Sequence, residues 1–168
     1  VFGLFGLGLW MVWLDYYSSW RHTAPALHKG IGLGLFALML LRLLWRLVSP
    51  PPAPLSSYSR LTRLGATLGH SALYLALFAV MLAGYLISTA DGRGISVFGW
   101  FEVPASITSI PEQEDVAGAV HFYLAWGLVI LAGLHGLAAL KHHFIDRDAT
   151  LRRMLGRPQP TSQAHKEL

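Results

Sequence analysis

Three apolar runs, from about Leu27 to Val48, Leu64 to Ser88 and Val116 to Leu140, constrain this chain more than any other feature. A helix rises about 1.5 Å per residue and a ~30 Å hydrocarbon core takes about 20 residues, so each run is long enough to cross a bilayer. A helix is also the form in which one segment satisfies its own backbone there. A fourth run, Val1 to Leu14, is shorter. Trp10, Trp13, Tyr16, Tyr17 and Trp20 form an interfacial belt at its far end. It is therefore expected to be a spanning helix whose opening residues lie upstream of Val1, rather than a re-entrant segment. No charged region precedes Val1 and no cleavage site with a soluble domain follows, so no cleavable signal peptide is expected. The fold expected is all-α, a transmembrane four-helix bundle over residues 1–157 with a polar tail at 158–168.

Composition supports the bilayer reading. With 54% apolar and 13% charged residues, a water-soluble globule is excluded. The chain has no cysteine, which excludes disulfides, thiolate-bound zinc, cysteine-held iron–sulfur clusters and covalently attached c-type haem. The net charge of +4 is not a nucleic-acid signature, because the cations gather at the ends of apolar runs instead of forming a stripe. Arg42, Arg46, Arg60 and Arg63 flank the second connection, which has no acid and is stiffened by Pro50, Pro51, Pro52 and Pro54. The tail adds Lys141, Arg147, Arg152, Arg153, Arg157 and Lys166. The third connection opposes Arg93 with Asp91, Glu102, Glu112, Glu114 and Asp115. The positive-inside rule then places both termini in the cytoplasm. Val97, Phe98, Trp100 and Phe101 are expected to lay part of the third connection on the membrane surface.

Ionisable groups inside a bilayer are costly and need a partner or a ligand. His121 and His135 are 14 residues apart on the fourth run, about 40° out of alignment and about 21 Å apart along the axis. His142 continues nearly the same stripe. Two histidines at this separation suit two stacked cofactors better than one. A b-type haem takes an imidazole above and below its iron, from facing helices. His28, at a depth close to that of His121, is its natural partner, and Gly30, Gly32 and Gly34 leave either room for a porphyrin or a close helix contact. The inner His135 could pair with His70 or with a histidine on the missing first turn of the first helix, and His70 could instead hydrogen-bond a propionate or a quinone. Arg42 and Arg46 either snorkel or meet a haem propionate or quinone carbonyl. His142 and His143 beside Lys141 could be a headgroup-binding pair, and His22 and His165 read as solvated or interfacial. Taken singly, each membrane histidine is more often a hydrogen-bonded bundle residue or a proton relay; the joint pattern favours ligation.

The segments LHKGIGLGLFALMLLRLLWRL, GHSALYLALFAVMLAGYLIS and HGLAALKHHFIDRDATLRRML, the last reached through His121, resemble the bacterial cytochrome b561 family, whose characterised member is a superoxide oxidase. The resemblance runs to about Arg157. It implies a bacterial inner-membrane protein with two b haems held between four helices. His28 and His121 would hold the outer one and His135 the inner, whose family partner would fall a few residues before Val1. It also implies that superoxide gives up its electron near the outer haem and that ubiquinone is reduced near His142. Expected partners are thus the lipid bilayer, ubiquinone, and superoxide or another small electron donor; a homodimer is compatible, and no nucleic acid is expected. The acidic third connection sits badly with an anionic donor, which only Arg21, Lys29, Arg93 and His22 would attract. Two competing functions are a haem-b anchor subunit of a hydrogenase- or dehydrogenase-type complex, and a haem-free channel or transporter with a histidine proton relay.

Overall fold

The computed structural model describes residues 1–49 and 58–147. The prolines of the second connection, and the polar tail with Arg152, Arg153, Arg157 and His165, lie outside the described residues. The order of elements is α1 (Phe2–Val12), α2 (Thr23–Val48), α3 (Arg60–Thr89), β1 (Ile95–Val97), β2 (Phe101–Val103) and α4 (Gln113–Phe144). By length and composition α2, α3 and α4 can each cross a membrane, and α1 is a shorter apolar helix. Leu38, Leu41, Leu44 and Leu47 of α2 and Leu75 and Leu82 of α3 are exposed, as lipid-facing side chains are.

Each long helix extends beyond its apolar run, because polar residues continue the backbone ladder into the interface. Ser59 caps α3, its hydroxyl accepting from the Thr62 N–H at 3.1 Å. Glu114 and Asp115 stand in the first turn of α4, and Lys141, His142 and His143 in its last, matching charge to both ends of the helix dipole.

Residues Val1–Val129 form one compact unit. Within it α1 packs on α2, and α2 packs on α3 and on β1. The Phe5 and Trp126 rings meet edge to face at 4.8 Å, linking α1 to α4. The all-α expectation missed the antiparallel hairpin of β1 and β2, with Val97 opposite Phe101. Its turn has φ +53° at Phe98 and +75° at Gly99, and the Val97 carbonyl accepts from the Trp100 N–H at 3.0 Å. Two successive left-handed residues give the type I′ bend that matches strand twist. Strand alternation turns Ile95 and Val97 inward, where they are buried, and Ser96 outward. Of the four residues expected on the membrane surface, Val97 is therefore a core residue, whereas Trp100 and Phe101 are exposed.

The tightest packing is at this hairpin end, with Ala24, Thr89 and Ala117 buried alongside Ile95 and Val97. Gln113 Nε2 donates to the carbonyls of Leu86 and Ile107, both at 2.9 Å. The Tyr85 hydroxyl donates to the Pro104 carbonyl and accepts from the Ser106 N–H, each at 2.8 Å. These bonds tie the third connection to α3. The second unit begins at Ile130. There Lys141 and His142 both reach Asp146, at 2.8 and 2.9 Å, one turn beyond them.

Candidate functional site

His28 is in the second turn of α2 and His121 in the third turn of α4. The fold brings their rings to 6.2 Å between centroids, with the planes at 70°. His121 Nδ1 lies 2.8 Å from the Val80 carbonyl on α3. A carbonyl only accepts, so Nδ1 carries the proton and Nε2 keeps its lone pair for a ligand bond. The Leu4 backbone on α1 approaches the His28 ring, yet the buried Nδ1 of His28 makes no well-formed hydrogen bond among the described residues.

Each imidazole is seated against a glycine of a neighbouring helix. A Cβ at Gly84 would lie 3.1 Å from His121 Cε1 and 3.2 Å from its Nδ1. A Cβ at Gly8 would lie 3.2 Å from His28 Cε1. Neither glycine carries a signal in the sequence beyond its small size. Gly30, Gly32 and Gly34 divide between two uses. The notch at Gly30 is filled by Phe98, whose ring carbons would be 2.9 Å from a Cβ there, whereas a Cβ at Gly32 or Gly34 would meet no neighbouring group within 4 Å among the described residues.

Both histidines line a cavity of about 1080 Å³ inside this unit, walled by apolar residues such as Phe5, Leu33, Phe36, Met81 and Trp126. Among the described residues Lys29 is the one Lys, Arg, Asp or Glu on that wall. Nearby, Arg93 hydrogen-bonds and pairs with Asp91 at 2.5 Å, and with Lys29 it holds the Asp91 carboxyl below its ordinary range.

These residues fit a b-type haem. His28 and His121, with ring centres 6.2 Å apart, would be the residues to hold its iron between α2 and α4. The donors are imidazoles alone and the wall suits an apolar macrocycle. Among the described residues no group of three or more His, Cys, Asp or Glu side chains gathers as it would for a bare metal ion.

Of the other expected site residues, His70 is on α3 and Arg42 on α2. Arg42 Nε donates to the Tyr74 hydroxyl at 2.8 Å, and the Arg46 guanidinium stands 5.7 Å from the Tyr74 ring centre. Tyr74 was missed from sequence; its one signal is a phenol inside an apolar run, where Arg42 needs an acceptor. His135 and His142 belong to the second unit, on the stretch of α4 from Ile130. His142 faces Asp146, and His143 packs edge-on against Phe144 at 4.8 Å. His22 is exposed, as expected.

The sequence profile described as prokaryotic cytochrome b561 matches residues 1–157. Cytochrome b561 homolog 2 of Escherichia coli (strain K12) is 61% identical over 157 residues, spanning 94% of this chain and 84% of that protein. The Probable superoxide oxidase CybB of Yersinia pestis is 32% identical over 139 residues, spanning 83% and 77%. Cytochrome b561 homolog 1 of Escherichia coli (strain K12) is 31% identical over 154 residues, spanning 86% and 82%.

Proposed function

The chain belongs to the prokaryotic cytochrome b561 family of electron-transferring membrane cytochromes, and from that premise we propose that it is a four-helix, dihaem protein passing electrons across the inner membrane. One haem would sit between His28 and His121, and the other would be bound by His135. The observation that carries this reading is the pair of imidazoles 6.2 Å apart on the wall of an apolar cavity, one of them fixed by the Val80 carbonyl.

Bound b haem supplies a one-electron iron couple whose potential is set by ligation, burial and nearby charge. The protein supplies the rest. The Val80 carbonyl orients His121 and raises the basicity of its Nε2. Gly84 and Gly8 allow the rings to sit flush against α3 and α1. The apolar wall excludes water. Lys29 gives the cavity a positive edge that draws an anion, while Arg93 neutralises part of the acidic connection beside it. With the arginine-rich second connection in the cytoplasm, this site faces the outside.

The proposed reaction joins superoxide to quinone. Two superoxide anions each lose one electron and leave as dioxygen, and one ubiquinone gains both electrons and two protons to become quinol. His142 Nδ1, 2.9 Å from Asp146, is placed to hold one of those protons near the cytoplasmic end of α4. The relative named Probable superoxide oxidase CybB, and Lys29 as the one Lys or Arg on the cavity wall among the described residues, support this donor. A second reading, a haem-b anchor of a larger complex, draws on the acid-rich connection and the exposed Trp100 and Phe101. The full-length protein should show a b-type spectrum with two haems per chain by pyridine haemochrome. Generated superoxide should reduce those haems faster than it reduces His28→Ala. Equal rates would remove superoxide as the donor, and a colourless reconstituted protein would remove the haems.

A further inference from the structure

Phe98 is the residue of the hairpin that neither strand pairing nor turn chemistry explains. At φ +53° it lies in the left-handed region, where Asn, Asp or Gly is the ordinary occupant of this turn position. A phenylalanine stays there only when its surroundings over-determine it. Three contacts do so. The Val97 carbonyl holds the Trp100 N–H across the turn, β1 is packed on α2, and the Phe98 ring is set into the notch at Gly30. Gly30 is buried and lies two residues beyond His28, so the ring is locked next to a proposed haem ligand. Phe98 is half exposed, and it lines the same cavity as His28, His121 and Lys29. One face of the ring therefore closes the wall and the other meets the exterior, where the Trp100 ring meets it at 5.9 Å.

We propose that Phe98, keyed into Gly30, sets the size of electron donor that can approach the His28–His121 site, admitting a species of a few atoms and keeping a protein donor at a distance. This deepens the proposed function and rests on a haem being bound there. Phe98 is a specificity-determining residue, whose role is to stand between the cavity and a bulky partner. A plug that served stability alone would affect unfolding without distinguishing large reagents from small ones.

The test uses the full-length, haem-loaded protein, reduced and then mixed in stopped flow with ferricyanide as a small oxidant and ferricytochrome c as a large one. In Phe98→Ala the ferricytochrome c rate should rise, because electron transfer falls off steeply with distance and loss of the ring lets the large oxidant come closer, while the ferricyanide rate should stay close to the wild-type value. Gly30→Ala should do the same with Phe98 present, because its Cβ expels the ring, and the double variant should add little to either single one. Hydrogen exchange at the Trp100 amide should speed up in Gly30→Ala, a readout independent of electron transfer. Phe98→Gly should open the site as Phe98→Ala does while relieving the backbone, which covers a poorly folding alanine variant. Equal acceleration of both oxidants, or none in Phe98→Gly and Gly30→Ala with haem content intact, overturns the gate. A wild type without a b-type band overturns the haem reading itself.

Discussion

Gly84→Ala probes the seat of His121. The new Cβ would lie 3.1 Å from Cε1 and 3.2 Å from Nδ1 of the imidazole, so the ring must retreat by a few tenths of an ångström. It is not free to retreat, because Nδ1 is held 2.8 Å from the Val80 carbonyl. Either the strain remains, at about 1–3 kcal/mol for overpacking, or the hydrogen bond is lost and a buried polar group is stranded at a similar cost of about 1–3 kcal/mol. At about 1.4 kcal/mol per tenfold, haem should bind the outer site about 5- to 150-fold more weakly. Gly8→Ala is the internal control. Its Cβ would lie 3.2 Å from His28 Cε1 but 3.7 Å from Nδ1, and no well-formed hydrogen bond among the described residues holds that nitrogen in place. His28 can yield, and the cost should stay below about 1 kcal/mol. Titration of apoprotein with haem, followed at the Soret band, measures both. Equal or reversed weakening in the two variants would refute the argument that the Val80 bond makes the difference.

His135→Ala should lower the pyridine haemochrome count from two per chain to one and leave the outer site's spectrum in place; an unchanged count would remove His135 from ligation. Lys29→Gln should slow reduction by superoxide and abolish most of its salt dependence, because the charge that steers the anion is gone and the Debye length already shrinks from about 30 Å at 0.01 M to about 3 Å at 1 M. A salt profile identical to wild type would exclude Lys29 as the source of attraction. Arg93 holds Asp91 below the ordinary carboxylate pKa of about 3.9, so their pairing is fully present above that value and fades as acid lowers the pH through the depressed one. Asp91→Asn should accordingly lower thermal stability slightly at neutral pH and leave it unchanged at the acid end, where the wild-type carboxyl is itself protonated, so the acid limb of the profile flattens; a loss that persisted undiminished in acid would contradict that sign.

The three spans and the His28–His121 pair were legible in the sequence because both depend on lengths and depths that a helix converts directly into distance. The hairpin was not. Its strands are three residues each, and Phe98-Gly99 stands where Asn-Gly would have announced the turn. Aromatic residues in a membrane protein's connection read equally well as interfacial anchors, and only strand alternation separates buried Val97 from exposed Trp100. Helix ends extended past the hydropathy runs because Ser59 and Gln113 satisfy backbone groups through side-chain bonds that hydropathy does not register. The Tyr74 partnership with Arg42 joins residues on two helices, and no spacing within either helix encodes it.

Glycine on α2 separates two explanations that composition leaves open. If Gly32 and Gly34 were small so that helices could meet, as at close-packed membrane interfaces, a Cβ at either would strike a neighbour. Neither would meet anything within 4 Å, and both line the cavity that holds His28 and His121. Gly30, one turn before Gly34, is the member of the series that a neighbour does fill, through Phe98. The helix is therefore closed at its hairpin end and kept wide below it. One substitution should then act with opposite signs on the apoprotein and on haem binding. Gly34→Ala should stabilise the apoprotein by up to about 1 kcal/mol through helix propensity, while weakening haem binding, because the added methyl takes space from the cavity and from no protein contact. A lower apoprotein melting temperature would restore the packing explanation, and unchanged haem affinity would mean that the width at Gly34 serves something other than the cofactor.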